Sequence, residues 1–208
     1  MFELLSADTP NGKKVSILLE ELNLKYKVTK INILKGDQFN PKFSKISPFN
    51  KIPVLRDLKT KKIIFESGAI LIYLGEKYKK FYDKKNRLKI LQWLMAQMAY
   101  VGPMFGQHHQ FHHYNHGKSK FGEERYFRIS TQIYKDLDRR LAKSKYLACS
   151  KYTIADIATF PWVARHEIHD IGLKKFKNLT RWFTLISKRK AVIKGYDFMN
   201  RGETIPKP

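Results

Sequence analysis

Three short clusters in the first third of the chain combine side chains and backbone suited to gripping a small anionic peptide. Thr9-Pro10-Asn11-Gly12 follows a short apolar run, Phe2 to Leu5, and precedes a helix. Pro10 suits a first helical turn, where its missing N–H is not needed. The amides of Asn11, Gly12 and Lys13 are then expected to face outward with the positive helix end behind them, which favours an anion. Thr9 and Asn11 add hydroxyl and carboxamide donors, so that anion could be a thiolate. Taken alone, the tetrapeptide fits a plain turn and helix cap equally well.

The second cluster is Asn50-Lys51-Ile52-Pro53. A cis bond before Pro53 costs little for an X-Pro pair. It would turn the Ile52 N–H and C=O into an open groove, where an extended peptide can pair as a short strand. The plain alternative is a strand that starts at proline. The third cluster, Glu66-Ser67, stands directly before an apolar helix. Ser67 as N-cap leaves amides and a hydroxyl for a carboxylate, while Glu66 could hold an ammonium; a simple capped helix is the other reading. Together the three would bind a small peptide with a free ammonium, a carboxylate, a backbone in the middle and a thiol. Glutathione has that set of groups.

These residues are positioned by alternating strand and helix signals. Val15, Leu18, Leu19 and Leu22 fall on one helical face, and Leu24, Tyr26 and Val28 alternate with lysines as a half-solvated strand. A polar loop runs around Gly36-Asp37-Gln38, and Pro41 to Ile46 holds a short helical piece. Ile52 to Leu55 and Ile63 to Phe65 form a hairpin pattern, followed by a helix carrying Ile70, Leu71, Leu74 and Tyr78. The order βαβ–α–ββα, with a proline opening the third strand, is a thioredoxin-like α/β plan over residues 1–80. Beyond a charged linker, residues 86–200 carry only helical patterns, including a Thr153-Ile154-Ala155-Asp156 capping box. The C-terminal domain is therefore expected to be all-α. Arg201 to Pro208 reads as a loose tail.

The chain has 208 residues and a formal charge of +23, which favours anionic partners. The excess is diffuse and is carried by 31 Lys against 10 Arg. Arg is the residue suited to bidentate phosphate and base recognition, so nucleic acid is not expected as a partner. A single cysteine, Cys149, excludes a disulfide framework and a CxxC redox pair, and it reads as packing in a reducing compartment. No secretory signal is visible, and the most apolar stretch, Met95 to Phe105, is too short to span a bilayer. A cytoplasmic location is expected. His108/His112 and His109/His113 have the i, i+4 spacing that could share a metal. No carboxylate lies beside them in sequence, so a cleft wall or solvated surface competes, and no metal is expected.

Thr9-Pro10-Asn11-Gly12, Gly36-Asp37-Gln38-Phe39, Ile46 to Pro53 and Phe65 to Ile70 resemble the glutathione transferase superfamily. More narrowly they resemble its nu class, bacterial disulfide-bond oxidoreductases related to the yeast nitrogen-regulatory prion protein. In the C-terminal half, Leu91-Gln92-Trp93, Gly102 to Gln107, Glu124-Arg125-Tyr126 and Tyr152 to Ala158 support the narrower match. The resemblance implies that Thr9 and Asn11 lie at the glutathione sulfur. It implies that Gln38 and Lys51 reach the glycyl end or backbone, and that Ile52, before Pro53, pairs with the cysteinyl backbone. Glu66 and Ser67 take the γ-glutamyl end, and Arg125 reaches a glutathione carboxylate. Met104, Phe105 and Gln107 are implied for a second-substrate pocket, with interdomain core as their plainer reading. Asp156 shapes the second domain, and a homodimer is expected.

The tyrosine, serine or cysteine that other classes place after the first strand is absent. If the protein handles disulfides, both thiols must then come from glutathione. The expected activity is glutathione-dependent disulfide reduction by thiolate exchange. Conventional conjugation to electrophiles or peroxide reduction is the enzymatic rival, and a glutathione-binding interaction module is the non-enzymatic one.

Overall fold

A four-stranded mixed sheet with helices packed on it is what the alternating first 80 residues build. In a computed structural model describing residues 1–208, the strands are β1 (Phe2–Ser6), β2 (Tyr26–Lys30), β3 (Val54–Asp57) and β4 (Lys62–Phe65). Their order is β2-β1-β3-β4. β1 runs parallel to β2 and antiparallel to β3, and β3 pairs antiparallel with β4. β1 is buried along its length, whereas the outer strands β2 and β4 are partly exposed, as edges require. The helices of this part are α1 (Pro10–Glu21), α2 (Pro41–Ser44) and α3 (Ser67–Tyr78). β3 begins at Val54 rather than at Ile52, because Pro53 has no N–H to give to a ladder; the Ile52–Pro53 bond is cis.

The chain divides into two units, and the division is not a single cut. Met1–Lys80 clusters with Arg189–Thr204, and Phe81–Lys188 clusters with Ile205–Pro208. The expected all-helical stretch 86–200 therefore gives its last helix, α9 (Lys190–Tyr196), to the first unit. Gly195 explains how closely α9 docks on α1: a Cβ there would lie 2.6 Å from the Ile17 Cα. Arg189 adds a two-pronged pair to Glu21, at 2.5 and 2.8 Å. The residues expected to form a loose tail are also engaged, since Asp197 accepts from the Arg201 and Gly202 amides and Glu203 pairs with Lys13.

The second unit is helical throughout: α4 (Arg87–Ala96), α5 (Gly102–His108), α6 (Lys120–Ala142), α7 (Ile154–Val163) and α8 (Lys177–Ser187), with short turns between them. α4 and α5 are joined by a π-helical turn, Gln97–Val101, and a second one, His109–Tyr114, follows α5. The helical path thus survives Gly102-Pro103, with Pro103 in the first turn of α5, where its missing N–H is tolerated. The expected capping box is present: Thr153 accepts from Ala155 N–H at 3.3 Å, and Asp156 accepts from Thr153 N–H at 3.0 Å. Asp156 also accepts from Leu147 N–H and Trp182 Nε1–H, each at 2.9 Å, and so ties α7 to α8 and to the preceding loop. No helix is long and apolar enough to cross a membrane.

Candidate functional site

Sheet register brings the sequence clusters together. Leu5 on β1 faces Val54 on β3, which faces Phe65 on β4, while Ser6 pairs with Lys30 at the end of β2. The segment after β1 (Thr9 to Gly12), the loop after β2 (Gln38), the loop before β3 (Lys51-Ile52-Pro53) and the turn after β4 (Glu66-Ser67) therefore all leave one edge of one sheet. Antiparallel pairing of β3 with both β1 and β4 is what makes a strand start and two strand ends coincide there.

Thr9 is the N-cap of α1 and Pro10 opens the helix. The Gly12 N–H donates to Thr9 Oγ1 at 3.2 Å, and the Lys13 N–H donates to the Thr9 carbonyl at 3.0 Å. This corrects the expectation of three outward amides, because the cap itself consumes those of Gly12 and Lys13. A hydroxyl that accepts from Gly12 still has its own proton to donate, so the Thr9 side chain can serve the cap and an external anion together. Asn11 sits beside it, half-buried. Gly12 is needed for close approach: a Cβ would lie 2.5 Å from Ser6 Oγ and 2.7 Å from the Ala7 carbonyl.

Beneath this turn, Lys13 is buried and fully engaged. Its ammonium lies 2.8 Å from Asp8 Oδ1, donates to the Tyr196 carbonyl at 2.9 Å, pairs with Glu203 and stands 3.9 Å from the Tyr196 ring centroid. Burial acts to raise the Asp8 carboxyl, but hydrogen bonds from Glu203 and Lys13 outweigh it and hold Asp8 below its usual range. Burial and the hydrogen bond to Asp8 push Glu203 up.

The loop before β3 is braced by Ser47, whose hydroxyl donates to the Lys51 carbonyl at 2.7 Å and accepts from the Lys51 N–H at 3.0 Å. Asn50 holds a positive φ of 55° within this loop. The Ile52 side chain packs on a small core of Leu5, Ile31, Phe43 and Val54. The Lys51 side chain is exposed. Gln38 donates to the Ile33 carbonyl at 3.3 Å, while its Oε1 is buried without a partner.

At the end of β4 the structure shifts the helix start by one residue. Glu66, not Ser67, is the N-cap of α3, and its side chain makes no capping hydrogen bond. Glu66 holds φ 67°, ψ 117°, a conformation disfavoured for a side-chain-bearing residue and commonly retained where a ligand needs it. Its carboxylate is exposed, whereas Ser67 is buried and accepts from the Lys14 ammonium at 3.4 Å. The sheet edge thus offers, in order, a hydroxyl donor over a helix start, a short extended backbone and a carboxylate beside a hydroxyl. Such a row can align a thiol, a peptide backbone and an amino-acid head group.

The helical unit holds the remaining candidates. Met104 is half-buried and Gln107 exposed, but Phe105 is wholly buried in the unit's core, its ring 5.7 Å from Tyr134 and 4.5 Å from His169. That placement departs from a pocket-lining role. Arg125 is exposed near the start of α6. Cys149 is half-buried, with its Sγ 3.6 Å from the Lys151 carbonyl.

Of the expected histidine pairs, His108 and His109 are buried and used in packing, whereas His112 is half-buried and His113 exposed. His108 Nε2 meets the His169 carbonyl at 2.9 Å, and His169 bridges Tyr134 Oη at 2.7 Å and His109 Nε2 at 2.8 Å. Burial pushes His109 down to about 3 and His169 well below its usual value, which keeps this network neutral. The carboxylates missing nearby in sequence arrive through the fold: Asp170 lies 3.1 Å from His112 Nε2, and Glu123 lies 3.0 Å from His116 Nδ1. The possible ligand atoms of His112, His116 and Glu123 come within 4.8 Å of one another, and the His116 side chain is 71% exposed.

Residues 9–77 match the family described as glutathione S-transferase, N-terminal domain, and residues 94–190 match glutathione S-transferase, C-terminal domain. The chain is 39% identical over 198 residues to the disulfide-bond oxidoreductase YfcG of Escherichia coli (strain K12), with 92% of each chain covered. A glutathione transferase from Burkholderia graminis, solved with two glutathione molecules bound per subunit, is 37% identical. It matches with a TM-score of 0.89 over 97% of this chain and 89% of its own. A glutathione transferase from Pseudomonas putida, solved with one glutathione disulfide per subunit, is 39% identical. Its TM-score is 0.86 over 94% of this chain and 90% of its own.

Proposed function

Because the chain belongs to the glutathione transferase superfamily, and within it to the nu class, we propose that it reduces disulfides by exchange with glutathione held along this sheet edge. The observation that carries the reading is the convergence of Thr9, Ile52 and Glu66-Ser67 at one edge that holds no cysteine. Thr9 and Asn11 position the glutathione sulfur. Gln38 and Lys51 meet the glycyl end or the backbone of glutathione. Ile52, set by cis Pro53, pairs with the cysteinyl backbone, and Glu66 and Ser67 take the γ-glutamyl ammonium and carboxylate. Arg125, Met104, Phe105 and Gln107 stand in the helical unit.

In the reaction, a glutathione thiolate attacks one sulfur of a disulfide. A mixed disulfide forms and the other sulfur leaves as a thiolate, which takes up a proton. A second glutathione thiolate then attacks the glutathione sulfur of the mixed disulfide, giving glutathione disulfide and the second reduced thiol. Two electrons move from two glutathiones to one disulfide, and the protein's part is orientation and thiolate stabilisation.

The test is disulfide reduction coupled to NADPH through glutathione reductase, run beside conjugation of a chloronitrobenzene, on wild type and Cys149→Ser. The expected result is rapid reduction, feeble conjugation and an unchanged rate in the variant. Dominant conjugation would give first place to the one-glutathione mechanism. Loss of activity in Cys149→Ser would return the chemistry to a protein thiol. We further propose a homodimer working where glutathione is kept reduced; a solution mass twice the 24.6 kDa of one chain supports it and a monomer mass refutes it.

A further inference from the structure

One buried cation is left unused by the exchange mechanism. Lys14, on α1, is 1% exposed, and its ammonium donates to Ser67 Oγ at 3.4 Å. Ser67 is itself 3% exposed and opens α3, directly after the strained Glu66. Lysine is almost never fully buried without a reason, because losing the hydration of an ammonium is costly. Burial pushes Lys14 down to about 7, and the nearby Glu66 carboxylate draws it back up.

Other charged groups on the elements packed around α1 are engaged elsewhere or face solvent. On α1 itself, Lys13 is held by Asp8 and Glu203, Glu20 by Lys194 and Glu21 by Arg189, the last two partners belonging to the α9 segment. Lys190, also on α9, is exposed. On α3, Lys77 pairs with Asp57, Tyr73 donates to the same carboxylate at 2.6 Å, and Glu76 and Tyr78 lie at the far end of the helix. On β1, Glu3 is bonded to Thr29, Lys27 and Arg56.

We propose that Lys14 is a positioning residue for the γ-glutamyl carboxylate: it holds the Ser67 oxygen from inside, and it takes up a proton when the carboxylate arrives. This rests on Ser67 receiving that carboxylate, as set out above. A carboxylate placed just beyond Ser67 favours the ammonium form of Lys14, so binding and protonation support each other. The sign follows from linkage. Below pH about 7 the amine is already charged, and binding takes up little; above it, each carboxylate that binds must bring a proton, so affinity falls as pH rises.

The probe is S-methylglutathione, which has no titrating thiol, studied by calorimetry between pH 6 and 8 in buffers of different ionisation enthalpy. For wild type, proton uptake should rise from near zero at pH 6 toward one per site at pH 8, with affinity falling several-fold. Lys14→Arg, charged at every pH, should bind with no such uptake, and Lys14→Met should bind at least tenfold more weakly. A 4-aminobutyryl analogue, lacking the γ-glutamyl carboxylate, should bind wild type and Lys14→Met alike and take up no proton. A merely structural lysine would not move the proton count. If uptake is absent in wild type, persists in Lys14→Arg, or persists with the analogue, the proposal is overturned while the glutathione reading stands. Failure of wild type to bind S-methylglutathione at any pH overturns both. The wild-type measurement needs no variant to fold.

Discussion

Removing the Thr9 hydroxyl should raise the pKa of the bound glutathione thiol by about 1–2 units, the equivalent of one charge-assisted hydrogen bond of roughly 1.5–3 kcal/mol. An unassisted thiol with a pKa near 8.5 is only about 3% ionised at pH 7, and lowering it by two units requires about 2.7 kcal/mol. The α1 terminus contributes roughly 0.3–1 kcal/mol, up to about 2 where partly buried. With the Gly12 and Lys13 amides taken up by the Thr9 cap, those two donors cannot supply the remainder. The hydroxyl proton of Thr9 and the groups of Asn11 must do so.

Thr9→Val keeps the shape and deletes the donor, while Thr9→Ser keeps both donor and cap. If the wild-type thiol sits near pKa 6.5, a rise of about 1.5 units takes the thiolate fraction at pH 7 from roughly three-quarters to about one-tenth. Disulfide reduction in Thr9→Val should then fall about eightfold at pH 7 and recover toward pH 9, with Thr9→Ser near wild type. The assay is the ultraviolet absorbance of the bound thiolate against pH, alongside the pH–rate profile. Cap loss costs about 1 kcal/mol of stability and is read separately by denaturation. A bound-thiol pKa that moves by less than about 0.3 unit in Thr9→Val would refute the reasoning, whatever happens to the rate.

Two further substitutions probe the scaffold. Asp156→Ala strips the acceptor from the buried Leu147, Thr153 and Trp182 N–H groups. At roughly 1–3 kcal/mol for each unsatisfied donor, it should destabilise the helical unit by about 3–5 kcal/mol in urea unfolding. Burial raises the Asp156 carboxyl from 3.8 to about 6, so the folded state binds its proton more tightly than the unfolded one. Its contribution should therefore be most favourable below pH about 4 and decline until about 6, a slope that Asp156→Asn removes. Gly12→Ala places a Cβ 2.5 Å from Ser6 Oγ and 2.7 Å from the Ala7 carbonyl. It should cost about 1–3 kcal/mol and shift Thr9 enough to lower activity, whereas wild-type stability and rate would show that β1 and α1 can part without harm.

Much of the sheet edge was legible because its residues obey local rules. Pro10 after Thr9 marks a capped helix start, Pro53 opens the third strand, and the two apolar runs around Leu55 and Ile64, split by a polar stretch, mark a hairpin. The hairpin sets Val54 against Phe65, and the separate pairing of β1 with β3 adds Leu5, which together assemble three distant clusters. The same local logic failed where two uses compete for one group. The amides of Gly12 and Lys13 looked available to a ligand because a cap and an anion site share one sequence signature. Ser67 looked like the cap of α3 because serine prefers that position, yet Glu66 holds it at positive φ. Backbone strain of that kind is imposed by the surrounding fold and leaves no mark in residue preference.

Lys13-Lys14 shows most clearly why composition hides the rest. In a chain with 31 lysines and a charge of +23, nothing in the sequence sets two adjacent lysines on a helix apart. Both are buried, and each for a reason that only tertiary contacts supply. Lys13 is neutralised by Asp8 and by Glu203, 190 residues away in sequence, and Lys14 faces Ser67 across the first unit. The return of 189–204 to the first unit creates the Lys13 pocket, and no periodicity in the helical half announces that return. Net charge therefore misleads twice here: it suggests a role for the exposed lysines, which are diffuse, and conceals one for the buried pair on α1. A cation's chemistry is set by what it has lost in hydration and gained in partners, and both quantities belong to the fold.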